Sequence, residues 1–88
     1  MKLQHKQKEI FKHYGDIVQL KKFREEIAEM LTEIDLSLID GVISDNFDNE
    51  LADKLNMAEQ WKQKRGAAKI EQIQHEKCDR ELKRIKEL

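Results

Sequence analysis

The chain has 88 residues, a formal net charge of −1, 40% charged and 39% hydrophobic residues, no proline and one cysteine, Cys78. That length allows one domain over 1–88 and a core covering only about 60–65% of the unfolded surface. A lone cysteine excludes an intramolecular disulfide framework, and no run approaches the roughly 20 apolar residues of a membrane span. The opening Met-Lys-Leu-Gln-His-Lys-Gln-Lys lacks the apolar stretch of a secretory signal, so a reducing, cytoplasmic setting is the expectation.

Three glycines, Gly15, Gly41 and Gly66, divide the chain into segments of helical length. The first, about Leu3 to Tyr14, has Leu3, Ile10, Phe11 and Tyr14 at loose helical spacing and is the most polar. The second, about Asp16 to Leu36, places Ile17, Leu20, Phe23, Ile27, Met30, Leu31 and Ile34 on a 3.6-residue period. The stretch Ser37 to Asn46 reads as a loop, and Ser44, Asp45 and Asn46 all suit the start of a helix. A third helix, about Phe47 to Gln63, has Phe47, Leu51, Leu55, Ala58 and Trp61 on one face. The fourth, about Ala67 to Lys86, has Ile70, Ile73, Cys78, Leu82 and Ile85 on one side. No segment alternates with period two. The expected fold is all-α: a compact four-helix bundle of three long helices and a weaker N-terminal one, oligomerising because so small a core leaves faces to pair.

Charge is unevenly spread. Residues 1–24 carry seven Lys/Arg against two Asp/Glu, a balance of +5; residues 25–59 carry one against eleven, −10; residues 60–88 carry nine against five, +4. Within the acidic centre stand two short motifs, Glu26-Ile27-Ala28-Glu29 and Glu50-Leu51-Ala52-Asp53. Residues three apart share a helix face, so two packed helices can bring Glu26, Glu29, Glu50 and Asp53 into one space. Four like charges need a cation among them, and hard divalent ions such as Mg²⁺ favour oxygen donors. Glu25 and Glu33 lie close enough in sequence to add further oxygens. A set of solvated charged faces is the plainer reading of the charge blocks alone.

Taken with His13-Tyr14-Gly15, Gln19-Leu20, Met57 and Glu59-Gln60, the two motifs resemble the signature of the all-α nucleoside triphosphate pyrophosphatases, the MazG-like and dimeric dUTPase-like group, in a small phage-type form. The resemblance covers roughly residues 10–86. It implies Mg²⁺ (with Mn²⁺ as a substitute) held by Glu26, Glu29, Glu50 and Asp53, and hydrolysis of a (deoxy)nucleoside triphosphate to a monophosphate and pyrophosphate. It implies a proton acceptor for the attacking water among the motif carboxylates or their neighbours, here Glu25 or Glu26. Lys77, Arg80 and Arg84 match a basic pattern that would hold the phosphates, and Gln19 would meet the base or sugar. Partners expected on this footing are the triphosphate and a dimer or tetramer of the chain, with no membrane and no nucleic acid.

Lys54 and Asn56 depart from the pattern, which has apolar residues there. Lys54 either takes a metal ion's electrostatic place or, more simply, points to solvent. A different class of function fits the same composition: a non-catalytic helical interaction protein whose acidic face docks on a partner. His75 and Cys78 are too few for a zinc site and read as a surface histidine beside a core cysteine. Trp61 reads as core, and Lys2, Lys6, Lys8 and Lys12 as a solvated basic run.

Overall fold

The computed structural model describes residues 1–87 and contains three helices, α1 (Leu3–Asp40), α2 (Phe47–Arg65) and α3 (Ala67–Glu87), with no strand among the described residues. The all-α class follows from the periodicity; the count of four does not. Gly15 interrupts helical geometry inside α1, which is two helical stretches, 3–14 and 16–40, joined at a sharp kink. Its φ of 81° and ψ of 173° lie where a side chain is disfavoured, and the chain resumes helical geometry at once. The break falls between the two segments expected at 3–14 and 16–36. The second runs on to Asp40, where Gly41 adopts φ 73° and returns its N–H to the Ser37 carbonyl at 2.9 Å. α2 has Asp48 and Glu50 in its first turn and Lys62, Lys64 and Arg65 in its last, charges that suit the helix dipole.

α1 and α2 form an antiparallel hairpin with a regular register. Gln19 meets Gln60, Glu26 meets Lys54, Glu33 meets Asn46, and Asp16 lies 3.8 Å from Lys64. The N-terminal arm, 3–14, folds back on the far side of α2. There Gln7 donates to Glu59 at 2.6 Å and Asn56 at 3.2 Å, and accepts from Gln63 at 3.0 Å. Phe11 sets its ring edge-on to Trp61, 4.9 Å between centroids. The interior is largely polar: Phe11 and Met57 are the buried apolar residues, alongside Gln7, Gln19 and Gln60.

The inward faces differ from those expected. On α1, Gln19, Phe23, Glu26, Met30, Glu33 and Ser37 turn towards α2, while Ile17, Leu20, Ile27, Leu31 and Ile34 are exposed. On α2, Phe47, Glu50, Lys54, Met57 and Trp61 turn inward, while Leu51 and Leu55 are exposed. Each helix carries two stripes about 100° apart, one residue's rotation, and the hairpin closes on the mixed stripe. The closed stripe carries hydrogen bonds and ion pairs that have no equivalent on the apolar stripe. α3 meets α2 and makes no contact with α1 among the described residues, so the chain is a kinked hairpin with an appended helix and not a compact bundle. Cys78 on α3 is exposed, not core, as are Leu82 and Ile85.

Candidate functional site

The hairpin register is what assembles the acidic cluster. Glu26 enters from the middle of α1 and Glu50 from the first turn of α2, both partly buried, and Glu29 joins them from the α1 rim. One carboxylate oxygen from each lies within 4.8 Å of the others. Into this cluster reaches Lys54, its ammonium 2.8 Å from Glu26 Oε2 and 3.0 Å from Glu50 Oε2. The Lys54 side chain is only 12% exposed, so it does not point to solvent. The outward direction expected from its place beside Asp53 fails because Lys54, not Asp53, shares the inward stripe with Phe47, Glu50 and Met57.

The electrostatics follow from this geometry. The charge of Glu26, then burial and the charge of Glu50, push the Glu29 carboxyl above its ordinary value. The hydrogen bond from Lys54 holds Glu50 below its ordinary value, although burial opposes it. Burial works to lower Lys54, but the hydrogen bonds to Glu26 and Glu50 carry it above the usual lysine value. Three carboxylates against one ammonium leave a surplus of two negative charges when all are ionised. Asn46 lies at the loop end of the cluster, its amide donating to Glu33 Oε1 and Glu50 Oε1, each at 3.3 Å. Ser44 donates to Glu33 Oε2 at 2.6 Å, which ties the connecting loop to the cluster.

Of the residues proposed from sequence, Glu26, Glu29 and Glu50 come together. Asp53 and Glu25 are exposed and stand outside the group. Gln19 is 1% exposed, its amide donating to Gln60 Oε1 at 2.6 Å and its own carbonyl oxygen buried without a partner. It fastens the hairpin and offers no surface to a ligand. Lys77, Arg80 and Arg84 are exposed on α3, away from α1, and Arg84 pairs locally with Glu81 at 3.3 Å.

A second feature was missed in the sequence. A cavity of about 690 Å³ opens between the N-terminal arm and the end of α2, floored by Phe11 and edged by His5, Lys8, Lys12 and Lys64. The lining includes no carboxylate. It lies on the stretch of α2 from Gln60 to Lys64, six to ten residues beyond Lys54, or about 9–15 Å along the helix. The basic run at 2–12 signals these cations, but only the fold-back at Gly15 gathers them with Lys64.

Set against protein-family models, curated proteins and solved structures, the chain matches none of them.

Proposed function

We propose that the chain is an Mg²⁺-dependent nucleoside triphosphate pyrophosphohydrolase that works as a homo-oligomer. The observation carrying this reading is the convergence of Glu26, Glu29 and Glu50 across two helices, which the paired acidic motifs anticipate. The donor set fits a hard divalent ion: three carboxylate oxygens, a surplus of two negative charges, and Glu29 already driven towards protonation by its neighbours. Glu26, Glu29 and Glu50 would hold the ion, which when bound supplies charge neutralisation of the phosphates and an acidified water. Lys54 must then leave its seat or share it, and its flexible stem permits both.

The chain's own groups divide the remaining work. The cations expected on α3 are replaced by His5, Lys8, Lys12 and Lys64 around the cavity, where they can hold anionic phosphate oxygens. Phe11 gives that cavity an apolar floor. Glu26, freed from Lys54, would accept a proton from water in the cluster. Glu25 has no such position because it is exposed and outside the group.

One observation favours a second reading. Lys54 already neutralises part of the cluster, as it would in a non-catalytic helical interaction protein whose ion pairs serve only to close the hairpin. Pyrophosphate release from a panel of NTPs and dNTPs with Mg²⁺ separates the two. The hydrolase reading expects monophosphate and pyrophosphate in equal amounts, lost at least 100-fold in Glu26→Gln/Glu50→Gln and retained in Asp53→Asn. No turnover on any nucleotide leaves the interaction reading.

A further inference from the structure

The apolar stripe that the hairpin leaves uncovered runs along α1 through Ile17, Leu20, Arg24, Ile27, Leu31, Ile34 and Leu38. Its spacing alternates three and four residues, the seam of a helix that packs lengthwise on another helix. All seven positions are exposed, with Ile27 at 55% and Leu31 at 56%. Helical phase puts Leu51 and Leu55 of α2 on the same side of the hairpin, 40% and 49% exposed. The N-terminal arm covers the other side, through Gln7 on Asn56, Glu59 and Gln63, and α3 does not reach α1. So the two helices present one continuous apolar face.

We propose that this face binds the same face of a second copy, α1 antiparallel on α1, about a two-fold axis beside Ala28. The charges that flank the stripe select that register, and two further features bear on it. First, the positions flanking the stripe on its outer edge are Lys21, Ala28 and Asp35, seven residues apart. Antiparallel pairing centred on Ala28 sets Lys21 of each copy opposite Asp35 of the other, two complementary pairs from one symmetric contact. Second, the hairpin register of Gln19 with Gln60 and Glu26 with Lys54 places Ala28 level with Ala52, between Leu51 and Leu55. The same axis therefore brings Leu51 of each copy beside Leu51 of the other. Third, the only polar residue in the stripe is Arg24, and a single polar position in such a seam favours one register over its neighbours. A parallel pairing would instead set Lys21 against Lys21 and Asp35 against Asp35.

The inference rests on the homo-oligomer part of the proposed function and is independent of any chemistry at the acidic cluster. Its test combines sedimentation with cross-linking in the full chain. With Cys78→Ser to remove the native thiol, Ala28→Cys is expected to be joined to its own copy by a short bismaleimide, because a position flanking the axis lies near its symmetry mate. Asn49→Cys in the same background, exposed and on the side of α2 opposite Leu51 and Leu55, is expected to stay unlinked. Ile27→Asp should raise the dimer dissociation constant at least 100-fold, with helical circular dichroism unchanged because Ile27 is exposed in the single chain. Lys21→Asp and Asp35→Lys should each weaken the dimer about tenfold, and together restore it. A wild-type chain that sediments as a monomer at 100 µM, about the upper working range, overturns both this face and the oligomeric reading. A dimer indifferent to Ile27→Asp, with no Ala28 cross-link, overturns this face alone.

Discussion

The two stripes of α1 lie one residue apart, and they are built from different chemistry. The inward stripe, Gln19, Phe23, Glu26, Met30, Glu33 and Ser37, alternates apolar with hydrogen-bonding side chains, and each polar one has a partner across the hairpin or in its loop. The outward stripe is apolar except for Arg24. A single chain usually buries its most apolar face first, because burial yields roughly 25 cal/mol per Å² of apolar surface removed from water. Here the polar face is closed within the chain and the apolar face remains open. The difference teaches that the inward stripe is specified by pairing, while the outward one is left exposed and open to the partner copy proposed above.

Neighbouring substitutions break that comparison most directly. Met30→Asp puts a charge into the closed face and is expected to cost about 2–4 kcal/mol in urea denaturation. Leu31→Asp, one residue on, should change the stability of the single chain by no more than about 0.5 kcal/mol at dilute concentration, while abolishing association in sedimentation. Equal losses in both would erase the distinction. Met57→Ala, in the middle of the α2 inward stripe and 6% exposed, should cost about 2–3 kcal/mol by the same assay.

Smaller effects sharpen the electrostatic side. Lys54→Met leaves Glu26 and Glu50 facing each other without a cation and should lower the Tm by several degrees at pH 7. The Lys54 pKa is raised in the fold, so its stabilisation is complete below about pH 10.5 and is lost as pH climbs through the raised value. Glu50 is lowered, so its contribution is present above about pH 4.5 and is lost as pH falls through the lowered value. Glu29 is raised and has the opposite sign: its stabilisation exists below about pH 4.5 and disappears as pH rises through the raised value. Glu29→Gln should therefore raise the Tm slightly at pH 7 in metal-free buffer. Asp53→Asn, outside the cluster, should leave the Tm unchanged within a degree.

Helix content and the positions of Gly15 and Gly41 were legible in the sequence, because periodicity and the lack of proline are local signals. The choice of inward face was not. Ile27 and Leu31 carry the stronger hydrophobic signal, whereas the closing contacts of Glu26 with Lys54 and Gln19 with Gln60 join residues 28 and 41 apart and have no local mark. The candidate site was legible in part for the same reason. The spacing of Glu26 and Glu29 announces a shared face, but whether Glu50 or Asp53 faces them depends on the rotation of α2. That rotation also brings in Lys54, which sequence position alone assigned to solvent. The basic cavity escaped notice because its cations come from both sides of a fold-back at Gly15.

The most direct test of the inward face as a cation site is the Tm of the metal-free protein with and without millimolar Mg²⁺, wild type beside Glu26→Gln/Glu50→Gln. An ion bound by the folded cluster alone stabilises by RT ln(1 + [L]/Kd), so the account predicts a rise in wild type and none in the variant. An unchanged wild-type Tm, or the same rise in both proteins, would contradict it.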